Sequence, residues 1–230
     1  MSLSDDVRKF LENEGTVDVG FADISTISPK SGLNSGIVFY IPYEKETIKS
    51  IKKAPTEEYL AEYLELNRKL DEIAIKCEEF LIEKGYKAHA QTTTRVGEDA
   101  EDNNQTFLPH KTIATRAGLG WIGKSALFVT NDYGSAIRLS SVLTNAKLDF
   151  GTPIESSLCR MCVVCRNECP GSAISGIEWN SKMNREDFFD YKKCEKKASK
   201  ISKKKLKSDI TLCGKCIYVC PHTQKYINKK

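Results

Sequence analysis

The sequence predicts a mixed α/β (α+β) domain over residues 1–150, followed by a small cysteine-rich domain over residues 151–230. Strand-like and helix-like hydrophobic patterns alternate through the first part of the chain, which favours a mixed sheet covered by helices. Eight of the nine cysteines then lie between residues 159 and 220, in a lysine- and loop-rich setting. We therefore place a domain boundary at about residue 151.

The first elements follow from periodicity and capping residues. Residues 4–14 predict a helix with Ser4 as its N-cap and Gly15 at its end. Apolar runs at residues 16–24 and 35–43 predict two strands. The second run is apolar nearly throughout, which is typical of a strand buried on both faces.

A long amphipathic helix is predicted after Pro55. Thr56 can cap it, and the two glutamates that follow suit its positive end. Apolar residues then recur with a helical period until Gly85, which can end the helix in a left-handed conformation. Cys77 lies on this apolar stripe, so we interpret it as a core residue and not as a ligand.

Shorter patterns lead up to the cysteine-rich part. Residues 86–94 predict a weak strand, residues 97–106 a polar loop, and residues 110–117 a short helix. Residues 125–130 and 135–144 flank the turn sequence NDYG and predict a hairpin.

The cysteine spacing is the strongest functional signal. Residues 159–169 follow the pattern C-x2-C-x2-C-x3-C, and a proline comes next. This is the spacing of bacterial ferredoxins, in which the fourth cysteine binds the other cluster of a pair. A later C-x2-C-x3-C-P segment and one isolated cysteine complete eight thiols. The spacing therefore predicts a bacterial-ferredoxin-like domain with two [4Fe–4S] clusters.

The same pattern predicts how the thiols divide. One cluster is expected on Cys159, Cys162, Cys165 and Cys220, and the other on Cys169, Cys194, Cys213 and Cys216. Paired C-x2-C segments also build four-cysteine zinc sites, which is the alternative. The crowding of three thiols within seven residues favours the cluster.

Charge is unevenly distributed. Residues 182–230 carry a net charge of +10, whereas the rest of the chain carries −6. These lysines can offset the negative charge of the clusters, or attract nucleic acid or an acidic electron donor, or form a solvated connector. The lysines nearest the cysteines are Lys193, Lys196, Lys197, Lys203, Lys204, Lys205 and Lys207.

The segment GLGWIGKS, residues 118–125, matches both the P-loop and the dinucleotide-binding glycine pattern. Both require a strand before the glycines and a helix after them. Here a predicted helix precedes and a predicted strand follows, so nucleotide binding is disfavoured. Gly118, Gly120 and Gly123 still permit close backbone approach, with Trp121 as an apolar face and Lys124 as a cation.

Several segments together resemble the epoxyqueuosine reductase family, which is related more distantly to reductive dehalogenases. They are AGLGWIGKSAL, GSAIRLSSVLT, CRMCVVCRNECPGSAI and CGKCIYVCP, in this order. The resemblance implies an α/β domain that cradles a corrinoid (cobalamin) and a cluster domain that passes electrons to cobalt. It also implies that Gly118, Gly120, Trp121, Gly123 and Lys124 line the corrinoid site.

Two departures from the family pattern concern the reaction. Family reductases carry an acidic proton donor upstream of AGLGW, and the ungapped position falls on Asn104. Asp99, Asp102 and His110 are the candidates to replace it. The chain also stops at Lys230, whereas family reductases continue into a helical-repeat region that helps to hold tRNA. Both departures argue against epoxyqueuosine reduction itself and leave the cofactor chemistry unaffected.

The favoured hypothesis is a cobalamin-dependent iron–sulfur reductase that receives electrons from a donor such as ferredoxin or flavodoxin. Its acceptor would be an unknown small molecule or protein. We expect a cytoplasmic protein, because the sequence has no secretory signal and no apolar run long enough for a bilayer. The alternative is a non-catalytic, ferredoxin-like carrier that docks a partner enzyme. A tRNA-binding enzyme and a flavin in place of the corrinoid are further alternatives.

Overall fold

The computed structural model describes residues 2–28, 30, 32–98, 100–101, 105–106 and 108–229. The chain divides into two compact units. The first unit comprises Met1–Ile41, Glu65–Leu119 and Arg138–Ile154, and the second comprises Pro42–Leu64, Gly120–Ile137 and Glu155–Lys230. The units are therefore interleaved along the chain. The functional division into residues 1–150 and 151–230 stays a prediction.

The described part of the chain contains helices and short strands in alternation. The helices are α1 (Leu3–Asn13), α2 (Lys45–Ser50), α3 (Glu57–Glu83), α4 (Thr93–Glu98), α5 (His110–Arg116), α6 (Val164–Asn167), α7 (Tyr191–Leu206), α8 (Lys215–Tyr218) and α9 (Pro221–Asn228), with a 3-10 turn at Arg185–Asp187. The strands are β1 (Asp18–Asp23), β2 (Ser35–Pro42), β3 (Ala88–Ala90), β4 (Ala100–Glu101), β5 (Gln105–Thr106), β6 (Trp121–Ile122), β7 (Phe128–Val129) and β8 (Ile137–Thr144).

The main sheet has four strands in the order β1-β2-β8-β3. β1 pairs antiparallel with β2, and β3 pairs antiparallel with β8. β2 is buried at every position except its last, which confirms the expectation from its continuous apolar sequence. α5 packs on this sheet so closely that a methyl group at Gly36 would lie 2.7 Å from Cγ2 of Ile113.

Of the two predicted N-cap residues, those of α1 and α3, only the second is confirmed. The prediction of Ser4 as the first N-cap is wrong: Ser2 caps α1 through a hydrogen bond from the backbone N–H of Asp5. Ser4 is buried, and its Oγ instead accepts a hydrogen bond from the N–H of Asp149 at 2.8 Å. The prediction for α3 is confirmed, because Oγ1 of Thr56 accepts a hydrogen bond from the N–H of Tyr59.

Two predictions from local pattern are wrong. Residues 125–144 do not form a hairpin, since β7 pairs with β6 while β8 lies in the four-stranded sheet. Only an isolated bridge between Thr130 and Gly134 remains of the expected pairing. Residues 97–106 are not wholly loop either, because α4 extends to Glu98 and β4 pairs with β5.

The architecture is thus mixed α/β with antiparallel sheets, as the sequence predicts at this level. A bacterial-ferredoxin-like fold for the cysteine-rich part stays a prediction. None of the helices in the described ranges has the length and apolar character that crossing a membrane requires.

Candidate iron–sulfur site

The first cysteine motif lies on a tight loop that leads into α6. Arg160 adopts a left-handed conformation with φ 47°, and the N–H of Cys162 donates to the carbonyl of Cys159 at 3.0 Å. This turn brings neighbouring thiols to the same side of the chain. Cys165 follows within α6, and Cys169 follows soon after its end.

The second motif is built on two helix starts. Gly214, with φ 71°, is the N-cap of α8, and a methyl group there would lie 2.6 Å from Cδ1 of Ile51. Cys216 lies within α8, and Cys220 is the N-cap residue of α9. Pro221 fits the first position of α9 because the missing N–H would have no helical partner there.

Five of the eight predicted ligands surround one cavity, which we call the first cavity. It has a volume of about 100 Å³. Part of the glycine segment and the start of α9 complete its wall. Its lining includes Cys159, Cys162, Cys165, Cys216, Cys220, Gly123, Lys124, Ser125 and His222.

The other three predicted ligands, together with Cys216, surround a smaller cavity of about 40 Å³, which we call the second cavity. Its wall is formed by α7, by α8 and by the segment after α6. Its lining includes Cys169, Cys194, Cys213, Cys216, Lys197, Ala198 and Lys215. Cys216 therefore lines both cavities, while each of the other seven cysteines lines the one cavity in which its predicted partners lie. The ligand sets themselves stay a prediction.

Burial raises the pKa of several of these thiols, and neighbouring thiolates raise it further. The pKa of Cys165 in the first cavity is raised to about 11, and that of Cys194 in the second cavity is also raised to about 11. The pKa of Cys216 is raised as well, first by burial and then by thiols of both cavities. At neutral pH these thiols stay protonated unless a bound metal takes the place of the protons.

The residues present fit an iron–sulfur cluster by the chemistry of their donors. The first cavity is bordered by five cysteine thiols and the second by four, and thiolates hold clusters of this type. In the part of the chain that the structure describes, no three His, Cys, Asp or Glu side chains are arranged to hold a single metal ion.

The glycine segment has the local structure expected from its sequence. α5 ends at Arg116 before the glycines, and β7 follows them at Phe128. The helix-before, strand-after order that disfavours a P-loop is therefore confirmed. Gly118 has a φ of 77°, and a methyl group there would lie 2.6 Å from the carbonyl oxygen of Thr152.

Within the second unit, the rest of this segment is enclosed by protein. Trp121 is only 1% exposed, and its ring meets that of His222 edge-on at 5.0 Å between centroids. Lys124 is 4% exposed, and its Nζ donates to the carbonyl of Arg160 at 2.5 Å. The predicted corrinoid residues Gly123 and Lys124 thus line the first cavity, beside the loop that carries Cys159 and Cys162.

The other sequence candidates lie elsewhere. Nδ1 of His110 is 2.8 Å from Oγ of Ser141, and that hydroxyl donates to Oε1 of Gln91 at 2.5 Å. Burial lowers the pKa of His110 to about 4, with a further contribution from Arg138. Asp99, Asp102 and Asn104 lie outside the described residues. Cys77 is fully buried, which confirms its interpretation as a core residue.

Sequence reasoning missed two residues that border the cavities. His222 lines the first cavity, and Lys215 lines the second. Proximity in sequence could have found both, since they lie within two residues of Cys220 and Cys216. Lys197, one of the lysines predicted to lie near the ligands, also lines the second cavity. Its spacing of three from Cys194 along α7 places both on one side of the helix.

Comparison with known proteins supports the same interpretation of the cysteine-rich part. Residues 158–223 match the family described as 4Fe-4S double cluster binding domain. An epoxyqueuosine reductase of Listeria monocytogenes is 31% identical over 154 residues, which cover 64% of this chain and 36% of that protein. One of Lactococcus garvieae is 28% identical, covering 69% of this chain and 41% of that protein. The predicted resemblance to this family is therefore confirmed.

Solved structures share the fold. An epoxyqueuosine reductase in complex with a modified tRNA stem loop has a TM-score of 0.60, 17% identity, and coverage of 96% of this chain and 65% of that chain. A catabolic reductive dehalogenase has a TM-score of 0.73, 19% identity, and coverage of 94% and 31%. A further reductive dehalogenase, described in terms of B12-dependent dehalogenation, has a TM-score of 0.69, 18% identity, and coverage of 94% and 31%. The chain spans less than half the length of the two curated relatives.

Proposed function

We propose that this chain is an iron–sulfur oxidoreductase module that carries two [4Fe–4S] clusters and reduces an acceptor. The observation that carries the proposal is the division of eight thiols around two cavities that share Cys216. The similarity of residues 158–223 to a double-cluster family supports it. Bound clusters of this type would supply one-electron transfer, which the side chains of the protein cannot perform alone.

We propose the following ligand sets. Cys159, Cys162, Cys165 and Cys220 would hold the cluster of the first cavity, and Cys169, Cys194, Cys213 and Cys216 that of the second. The side chain of Cys216 borders both cavities, so the two clusters would be close neighbours. Lys124, Lys197 and Lys215 border the cavities and would offset the negative charge of the bound groups.

We propose a corrinoid as the acceptor. Two observations support it: the sequence similarity to epoxyqueuosine reductases, and the fold that this chain shares with a reductive dehalogenase described in terms of B12-dependent dehalogenation. The glycine segment gives no support of its own, because Trp121 and Lys124 are buried and Lys124 is hydrogen-bonded beside the first cavity. Gly123 and Lys124 would therefore belong to the wall around the first cluster and not to a corrinoid site.

Anaerobic reconstitution with iron and sulfide tests the cluster proposal. We expect about eight irons per chain and the broad visible absorption of [4Fe–4S] clusters. A Cys165→Ser variant should lose iron, whereas Cys77→Ser, which removes a core thiol, should retain it. Equal iron retention by both variants would contradict the ligand assignment.

Addition of cobalamin to the reconstituted protein then tests the acceptor. We expect corrinoid to remain with the protein through gel filtration and to be reduced when the clusters are reduced. Full cluster content without retained corrinoid would instead favour an electron carrier that docks a partner enzyme. A flavin spectrum in the freshly purified protein would replace the corrinoid proposal with a flavin.

A further inference from the structure

We propose that one face of α7 is the docking surface for an acidic electron-donor protein. This inference rests on the proposed function, because a donor is needed only if the second cavity holds a cluster. The lysine face, as we call it, consists of Lys192, Lys193, Lys196, Lys200, Lys203 and Lys204. With 3.6 residues per turn, these six side chains fall within an arc of about 120°. All six residues are exposed.

The opposite side of the same helix borders the second cavity. Cys194 and Ala198 line that cavity, and Ala198 and Ser202 are buried. A helix with its side chains is about 10–12 Å across. A protein bound on the lysine face would therefore lie about one helix diameter from the second cavity. No other element would need to move for the donor to approach.

Helix stability does not explain this concentration of positive charge. Lys192, Lys196, Lys200 and Lys204 follow one another at intervals of four, and each such like-charge pair destabilises a helix by about 0.2–0.5 kcal/mol. The first turn carries lysines and no acidic residue, although the positive end of the helix favours acids. Two lysines of this face form ion pairs, Lys193 with Asp190 and Lys203 with Asp209, and both pairs are exposed and therefore weak.

The chemistry of the face favours an acidic protein over nucleic acid. Its basic residues are all lysines, whereas the planar fork of arginine is the preferred group for phosphate recognition. No aromatic residue follows Tyr191 in α7, so the face offers no platform for base stacking. Exposed lysines suit a brief, electrostatically steered encounter, which is typical of electron-transfer partners.

The rate of reduction by an acidic donor tests this docking surface. The test variant combines Lys192→Glu, Lys196→Glu and Lys200→Glu in the cluster-loaded protein. The control combines Lys9→Glu, Lys87→Glu and Lys147→Glu, which are exposed residues of the first unit and change the net charge equally. Stopped-flow absorbance would follow reduction of the clusters by chemically reduced flavodoxin and, separately, by dithionite.

We expect the second-order rate with flavodoxin at low salt to fall at least about tenfold in the test variant and less than about twofold in the control. The salt dependence of the rate should flatten in the test variant, because steering by surface charge is screened by ions. Reduction by dithionite should not change. Equal rates for the test and control variants would overturn the docking surface.

Three further outcomes are distinguishable. Loss of binding to a tRNA stem loop with an unchanged flavodoxin rate would overturn the proposal in favour of a nucleic-acid surface. Failure of the unsubstituted protein to hold iron would refute the proposed function. If the glutamate variant loses iron, the same three lysines are replaced by glutamine. We then expect a smaller loss of the second-order rate with flavodoxin, and an unchanged rate would count against the docking surface.

Discussion

The two cysteine cavities differ in what surrounds their thiols. The first is bordered by the glycine segment and by Lys124, a lysine that is 4% exposed and hydrogen-bonded to backbone. The second is bordered by a lysine-rich helix and by Lys215, whose Nζ lies 3.2 Å from a carboxylate oxygen of Glu168. One cavity thus has a fixed, enclosed cation, while the other has cations near solvent.

This difference gives the two cavities of the second unit different electrostatic surroundings. A buried charge acts strongly on its surroundings because little water screens it, whereas exposed charges act mainly on approaching partners. Under the proposed function, a cluster in the second cavity would receive electrons from a docked protein, and the buried Lys124 would act on the reduction potential of a cluster in the first cavity. Cys216 connects them, since it lines both.

The largest expected effect follows from substitution of this shared thiol. Cys216→Ser should lower iron content to about half or less of the roughly eight irons of two clusters, because it removes a second-cavity ligand and alters the wall of the first. Cys194→Ser, which removes a proposed ligand that lines only the second cavity, should leave the first cluster intact. Iron analysis and electron paramagnetic resonance of the reduced proteins would measure both. Identical spectra for the two variants would show that Cys216 does not connect the cavities.

Close packing of the glycine segment beside the first cavity can be tested next. A methyl group at Gly120 would overlap the carbonyl oxygen of Val129 and lie 2.9 Å from the ring of Phe128. We expect Gly120→Ala to lower the free energy of unfolding by about 1–3 kcal/mol, as overpacked sites do. Gly97→Ala is the control, because nothing lies within 4 Å of the added methyl group. Urea unfolding of both variants would decide, and equal midpoints would refute the packing argument.

The fold was predictable where the signal is local. The buried strand β2, the cap of α3 at Thr56 and the short helix α5 follow from hydrophobic pattern and capping chemistry. The hairpin expected at residues 125–144 failed because strand pairing is a long-range choice: β8 finds its partners in β2 and β3, far away in sequence. A turn signal alone does not contain that information.

The grouping of the cysteines around the cavities was predictable from the sequence, whereas the other residues of the cavity walls were not. Short intervals between cysteines restrict which sulfurs can face one another, and every cysteine of the pattern except Cys216 lines a single cavity. The glycine segment gave no such rule, and only the structure places Gly123 and Lys124 beside the first cavity. The burial of Lys124 could not be inferred from a lysine in a polar, glycine-rich sequence.

Substitution of Lys124 tests whether the enclosed positive charge acts on the first cavity more than on the second. Lys124→Met removes the enclosed positive charge, which should lower the reduction potential of the first cluster by roughly 60 mV, a tenfold change in a one-electron equilibrium. The potential of the second cluster should change much less. Lys124→Arg keeps the charge and is the matched control. Redox titration followed by electron paramagnetic resonance would measure both potentials, and an equal shift of both would contradict the separation.

The smallest expected effect concerns how the free energy of unfolding changes at acidic pH. This dependence must be known before the loss of iron at acidic pH is compared between the two cavities. His110 belongs to the first unit and lines neither cavity. Its pKa is lowered to about 4 in the folded protein from an ordinary value of 6.5, first by burial and then by Arg138. Between these values the unfolded chain binds more protons at this position, so stability falls as the pH decreases from 6.5 towards 4.

His110→Gln should therefore reduce the dependence of the unfolding free energy on pH in that window, by up to about 1.4 kcal/mol per pH unit. Urea unfolding at several pH values between 4 and 7, followed by tryptophan fluorescence, would measure the slopes. Parallel slopes for the variant and the unsubstituted protein would exclude His110 as the titrating group. If the pH dependence of the unfolding free energy does flatten in His110→Gln, acid release of iron can be compared between the two clusters in that variant. A difference that remains there reflects the cavities themselves, because acid-induced global unfolding no longer accounts for it.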